Sequence, residues 1–245
     1  MTVAMTKHRL DQLVVDRGLA ESREKAQALI IAGQVMVNGQ KSSKPGHGTP
    51  VDARIEVLER MPYVSRGGFK LAAALDHFKI DVAGRICLDV GASTGGFTDC
   101  LLQRGAARVW SIDVGHGQLD WRLRNDPRVV VREGVNARYL QPGDFTKRFD
   151  LAVCDASFIS ATLLIPAIAA VLAERGEMVI LVKPQFEARR GQVGKGGIVR
   201  DTEVHQAACD RVTAAVEALG FSASLMESPI LGAEGNREFL LYARR

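Results

Sequence analysis

From residue 86 onward the chain carries a series of short, continuous apolar runs, each stopping on a charged residue. "ICLD", "RVWSID", "FDLAVCD" and "EMVILVK" are four of them, separated by amphipathic segments such as "FTDCLLQRG", "ATLLIPAIAAVLAERG" and "VHQAACDRVTAAVEALG". A strand that is apolar at successive positions has no face to give to water. A set of such strands alternating with helices therefore predicts a parallel sheet covered on both sides. A last run, "EFLLYAR", supplies a further strand. With 245 residues and 47% hydrophobic content, the chain can build one sizeable core and still carry a second, small domain.

That small domain is legible ahead of the strands. "RLDQLVVDRG" puts Leu10, Leu13 and Val14 on one helical face and stops at Gly18, and "SREKAQALIIAG" starts on the N-cap residue Ser22 and stops at Gly33. "QVMVNGQ" leads into an Asn38-Gly39 turn, a hairpin signal, and "DARIEVLE" alternates like another strand. Two helices and a small sheet are too little for an enzyme. Residues 1–50 hold seven Lys or Arg against four Asp or Glu, most of the cations on the helical pair, a pattern that suits either a phosphate-facing surface or a solvated face. The expected organisation is an α+β domain over 1–60, a linker over 61–66 within "LERMPYVSRGG", and an α/β, Rossmann-like domain over 67–245.

The first apolar run empties into "GASTGGFTD". A P-loop needs Gly-Lys-Ser/Thr, and no lysine follows the turn. A dinucleotide fingerprint needs glycine where Ser93 stands, and Asp89 at the strand end would repel a diphosphate. S-adenosylmethionine carries no phosphate and bears an ammonium and a sulfonium, so it suits a carboxylate beside a glycine turn. Asp113, ending the second strand, is placed to accept hydrogen bonds from ribose hydroxyls, and Asn136, after the strand in "VVVREGVNARYL", to meet the adenine. The expected cofactor site is Asp89, Gly91, Ser93, Gly95, Gly96, Phe97, Asp113, Asn136 and Asp155.

Asp155 and Lys183 each end an apolar run, and in open sheets ligands bind beyond the carboxyl ends of the strands. A lysine there is costly unless paired or functional. Lys70, early in a predicted helix, and Glu238 would each, taken singly, be solvated charges. As a set, Lys70, Asp155, Lys183 and Glu238 resemble the Lys-Asp-Lys-Glu tetrad of the FtsJ-like ribose methyltransferases, and the run from Arg9 through Ser22-Arg23 to "AGQVMVNGQ" resembles the RNA-binding module first described in ribosomal protein S-four. With "SRGGFKL", "DVGHGQLDWRLR", "DASFIS", "VKPQFE" and "GNREF", nearly the whole chain is similar to the TlyA family of ribosomal RNA cytidine 2′-O-methyltransferases. The resemblance implies that the tetrad is catalytic, with Lys183 nearest the ribose hydroxyl as oxyanion stabiliser or base. It also implies S-adenosylmethionine as cofactor and ribosomal RNA as substrate. RNA contacts are expected at Arg9, Arg23, Lys25 and Arg66, and at Arg189, Arg190 and Lys195 of the basic, glycine-rich loop "RRGQVGKGG", which should order on a ligand.

Two other readings stand beside this one. "DASF" faintly echoes the [DN]-P-P-[YF] motif of base amino methyltransferases, though Ala156 and Ser157 replace both prolines; a ribosome-binding assembly factor with a vestigial pocket would have no use for the tetrad. The family has also borne the name hemolysin, but no apolar run here reaches a bilayer span, and "MTVAMTKHRL" lacks the apolar core of a signal peptide, so the chain reads as cytoplasmic. Cys87, Cys100, Cys154 and Cys209 form no CxxC pair, which argues for buried thiols rather than a metal or disulfide framework.

Overall fold

In a computed structural model that describes residues 6–58, 61–189, 191–232 and 234–245, the chain divides into two units, Met1–Pro62 and Tyr63–Arg245. The first runs β1 (Lys7–Arg9), α1 (Leu10–Asp16), α2 (Arg23–Ile31), β2 (Val35–Val37), β3 (Gln40–Ser42), β4 (Gly48–Pro50) and β5 (Ile55–Val57). Ser22 caps α2 by accepting from the Lys25 amide at 3.2 Å. Asn38 and Gly39, at φ of 49° and 79°, turn β2 into β3. The two helices close over Leu10, Leu13, Val14, Ala26 and Ile30, with Val35 and Ile55 from the three-stranded sheet beneath.

The charged hub of this unit is Asp11, which is fully buried. Its carboxylate accepts from Arg9 at 2.8 and 3.0 Å, Arg23 at 3.1 Å and Gln27 at 2.8 Å. It thereby ties the start of α1 to α2. Hydrogen bonding from Arg9, foremost, holds its pKa well below the usual carboxylate range.

The second unit runs α3 (Gly67–Phe78), β6 (Ile86–Val90), α4 (Gly96–Gln103), β7 (Arg108–Asp113), α5 (Trp121–Arg124), β8 (Val129–Glu133), β9 (Phe149–Cys154), α6 (Ile165–Val171), β10 (Leu172–Val182), α7 (Pro184–Glu187), α8 (Thr202–Glu217), β11 (Ser222–Glu227) and β12 (Phe239–Arg244). The sheet order is β11-β12-β10-β9-β6-β7-β8. Five strands are parallel, as the sequence predicts. β12 and β11 are antiparallel additions at one edge, a departure from the all-parallel expectation. β11 is a largely exposed edge strand with no continuous apolar run to announce it.

Residues along the strands alternate between two cores. Cys87, Leu151, Val153 and Leu181 pack with Leu71, Leu75 and Leu101 of α3 and α4; Leu88, Ala152, Cys154 and Ile180 pack with Ile165, Ile168, Ala208 and Val212 of α6 and α8. Both faces being covered, the strands read as continuous apolar runs. The helix expected over 161–176 is shorter: it ends at Val171, and β10 begins at once with an irregular stretch between Leu172 and Glu177. All four cysteines are buried and free; burial pushes Cys87, Cys100 and Cys154 up to about 12 and Cys209 to about 11.

The parallel strands β6, β7, β9 and β10 present their carboxyl ends along one edge. β12 runs the other way, with Phe239 opposite Val182, so the residue that precedes it, Glu238, arrives at that same edge.

Because Asp11 is held below its unfolded pKa of about 3.9, its contribution to stability is complete above that value and is lost as the pH falls through it. The first unit should therefore lose thermal stability on acidification below about pH 4. Asp11→Asn should be less stable at neutral pH and show a flatter acid limb in thermal melts followed by circular dichroism.

Candidate active site

The turn after β6 is shaped by close approaches of the chain. Gly91, at φ +79°, lies where a Cβ would meet the Asp155 carbonyl oxygen at 2.9 Å, because the exits of the neighbouring strands β6 and β9 lie close together there. A Cβ on Gly96 would fall 2.2 Å from Ser65 Oγ and 3.0 Å from the Gly68 nitrogen, and one on Gly95 would run into Leu119 and Leu123. At Gly95 and Gly96 the space that a side chain would need is filled by neighbouring protein. Ser93 holds a left-handed φ of +48°. Its amide donates to Asp113 Oδ2 at 2.8 Å, while Asp113 Oδ1 accepts from the Gly115 amide at 2.7 Å.

Asp89 sits beneath this turn. It is fully buried, its Oδ2 accepts from the Thr98 hydroxyl at 2.6 Å, and its Oδ1 has no partner among the described residues. Burial raises its pKa to about 7, with the charges of Asp155 and Asp113 acting in the same direction.

Two adjoining cavities open at the strand ends. The larger, about 520 Å³, is mostly apolar and is lined by Asp113, Gly115, Asn136, Phe158 and Ile159 among others, a volume in the usual range for small-molecule sites. The smaller, about 170 Å³, is polar and is lined by Ser65, Gly67, Lys70, Gly96, Phe97 and Lys183. Gly91, Ser93, Asp155 and Ser157 border both. Asn136 Oδ1 accepts from the Arg138 amide at 3.1 Å. Asp89 and Gly95 line neither cavity.

At the smaller cavity two ion pairs meet. Lys70 Nζ, from α3, lies 2.5 Å from Glu238 Oε2; Lys183 Nζ, directly after β10, lies 2.6 Å from Asp155 Oδ1 and donates to Ser157 Oγ at 2.8 Å. Lys70, Lys183 and Glu238 are buried. The solvated-charge reading of Lys70 and Glu238 therefore does not hold: their burial comes from the antiparallel placement of β12. Gly232 makes room for the glutamate, since a Cβ there would sit 2.5 Å from Glu238 Oε1.

A model of the FtsJ-like methyltransferases matches residues 63–245, and a model of the S4 domain matches residues 8–48. The chain belongs to the FtsJ-like methyltransferase family. It is 47% identical over 239 residues to the 16S/23S rRNA (cytidine-2′-O)-methyltransferase TlyA of Mycobacterium tuberculosis, covering 96% of this chain and 89% of that protein. It is 46% identical over 236 residues to Hemolysin A of Brachyspira hyodysenteriae, covering 96% and 98%. A solved structure from Streptococcus thermophilus, named for a hemolysin, superposes with a TM-score of 0.74 at 46% identity, covering 99% of this chain and 90% of that one. Among the described residues no helix is long and apolar enough to cross a membrane.

The cations expected to meet RNA are placed variously in this FtsJ-like chain. Arg9 and Arg23 keep about half of their side-chain surface exposed while clamping Asp11, and Lys25 pairs with Glu21 on the surface. Arg66 donates to the Leu231 carbonyl at 2.7 Å, and Arg189 and Lys195 are exposed. Arg190 lies outside the described residues. The far end of the basic loop is anchored rather than free: Asn236 accepts from the Val199 amide and donates to the Gly197 carbonyl, each at 2.9 Å.

Sequence reasoning passed over Ser157, Phe158 and Glu187, although each lies in a quoted motif. Ser157 holds Lys183, and Phe158 is 92% exposed at a φ of +64°, rare for a bulky residue. Nothing in "DASFIS" signals either role, because hydroxyl partners and backbone strain are properties of the fold.

Removing one partner of a buried pair strands the other. Glu238→Ala should cost about 3–5 kcal/mol of folding stability, and the double variant Lys70→Met, Glu238→Leu should recover a large part of it. Urea unfolding of the three proteins checks both.

Proposed function

We propose that the protein transfers a methyl group from S-adenosylmethionine to the ribose 2′-hydroxyl of cytidine in ribosomal RNA, in the cytoplasm where ribosomes are found. The observation that carries this reading is the meeting of two buried lysine–carboxylate pairs at a cavity that adjoins a larger, mostly apolar one. Two carboxylates, Asp113 and Asp155, face the larger cavity beside the glycine turn. They suit a ligand that is cationic at its sulfonium and ammonium and oppose one that carries phosphates. In the larger cavity Asp113 would accept from the cofactor's ribose hydroxyls and Asn136 would meet its adenine. Gly91, Ser93, Gly96 and Phe97 would border its amino-acid end.

The cofactor supplies an activated methyl group, so the protein's task is to place a weak nucleophile and ease the loss of its proton. Lys183 does this at the 2′-oxygen. Paired with Asp155 and fixed by Ser157, its ammonium is aimed by two contacts and would stabilise the negative charge left on the oxygen as its proton passes to solvent, after which the oxygen's lone pair takes the methyl and the electrons of the broken S–C bond return to sulfur. Lys70 and Glu238 form the neighbouring wall and keep the site's charge balanced. Phe158 offers an exposed aromatic face to an unstacked base. Methylation of an exocyclic amine is disfavoured: Ala156 and Ser157 replace the prolines of that motif, and the Ser157 hydroxyl is engaged by Lys183.

The S4 domain relationship supports RNA as the partner. We assign phosphate contacts to Arg9, Arg23 and Lys25 of the first unit and to Arg66, Arg189, Arg190 and Lys195 of the second. Arg9 and Arg23 would serve twice, as struts on Asp11 and as phosphate ligands.

Incubating the protein with ribosomal subunits and S-adenosylmethionine carrying a trideuterated methyl, then digesting the RNA to nucleosides for mass spectrometry, tests the reading. The label should appear in 2′-O-methylcytidine. Label in a base, or in no nucleoside, would overturn it.

A further inference from the structure

Glu187 closes α7, one helical turn beyond Lys183, and its side chain is only 3% exposed. Its two carboxylate oxygens are taken by the segment that leaves β9: Oε2 accepts from the Ser160 hydroxyl at 2.5 Å and Oε1 from the Ala161 amide at 2.6 Å. Both donors are neutral groups. Among the described residues, Arg211 is the arginine that reaches the residue, and it donates to the backbone carbonyl instead. A buried carboxylate satisfied by neutral donors is an expensive way to fill space, since an amide or an apolar side chain of similar size avoids desolvating a charge. Its use here calls for a task that depends on two acceptors held apart at fixed geometry.

The segment it grips, residues 155–161, carries the partners of Lys183. Its first half is fastened by Lys183, through Asp155 and Ser157, and its second half by Glu187. Phe158 lies between the two fastenings at φ +64°, its ring 5.4 Å from that of Phe186 on α7. A bulky residue in that conformation is strained and persists only where its surroundings over-determine it. Ser160 also turns the chain onward, accepting from the Thr162 amide at 3.3 Å. Glu187 itself lines neither cavity.

We propose that Glu187 is a positioning residue for methyl transfer: it clasps the exit of β9 to α7 and so holds Asp155 and Ser157 on the Lys183 ammonium. The proposal rests on the ribose-methylation reading above. Glu187 acts through the loop, at a distance from the reacting atoms, so its loss should slow the chemical step more than it weakens binding.

The test uses the full chain with Glu187→Gln, Ser160→Ala and the double variant. Glutamine keeps the size and one acceptor but turns its amide NH2 toward a donor. The single-turnover rate at saturating cofactor and RNA should fall about tenfold in E187Q, with KM for RNA within about twofold of wild type. Adding Ser160→Ala to Glu187→Gln should cost little more, because both remove the same contact. Hydrogen exchange at the Ala161 amide should accelerate in E187Q. A wild-type rate in E187Q, or losses that multiply independently, would overturn the proposal. If the wild type itself forms no 2′-O-methyl nucleoside, the functional reading fails, and the clasp is then judged by exchange alone: unchanged protection at Ala161 rejects it.

Discussion

Two lysines buried at one edge of a sheet can remain there as ammonium groups only in the company of carboxylates, and that requirement organises the second unit. Burying a lone cation is prohibitive, whereas a hydrogen-bonded pair is tolerable. Supplying the partners takes two different devices. Asp155 comes from the next parallel strand, one place away in the sheet, while Glu238 comes from β12, whose antiparallel course returns the chain to the same edge with Phe239 opposite Val182. The reversed strand is therefore what completes the site.

The glycine turn and the first unit show the same economy on a smaller scale. Gly91 lets two neighbouring strand exits approach closely, and Gly96 lets α4 start against residues 65–68. Arg9 and Arg23 answer a buried carboxylate and still leave half their surface to solvent. A charge reversal at either one would disturb the fold of the unit as well as any phosphate contact, so variants at exposed Lys25 are the cleaner probe of RNA binding.

Much of this was legible in the sequence because it rests on local patterns. Continuous apolar runs ending in Asp113, Asp155 and Lys183 announce buried strands and the edge where they end, and Ser22 and Asn38-Gly39 mark a cap and a turn that depend only on their neighbours. What was not legible depends on contacts distant in sequence. The direction of β12, the exposed edge strand β11 and the shortened α6 are settled by pairing and packing. The grip of Ser157 on Lys183, the clasp of Glu187 and the clamp on Asp11 each join segments whose meeting no periodicity encodes.

The central claim is that Lys183, held by Asp155 and Ser157, acts on the oxygen that receives the methyl group. Single-turnover methyl transfer by Lys183→Ala, with cofactor and RNA affinities measured alongside, tests it most directly. The account predicts a fall of about a thousandfold or more in the transfer rate, with both affinities within a few fold of wild type. A rate within about tenfold of wild type would contradict it, leaving placement of the substrates as the whole of the catalysis.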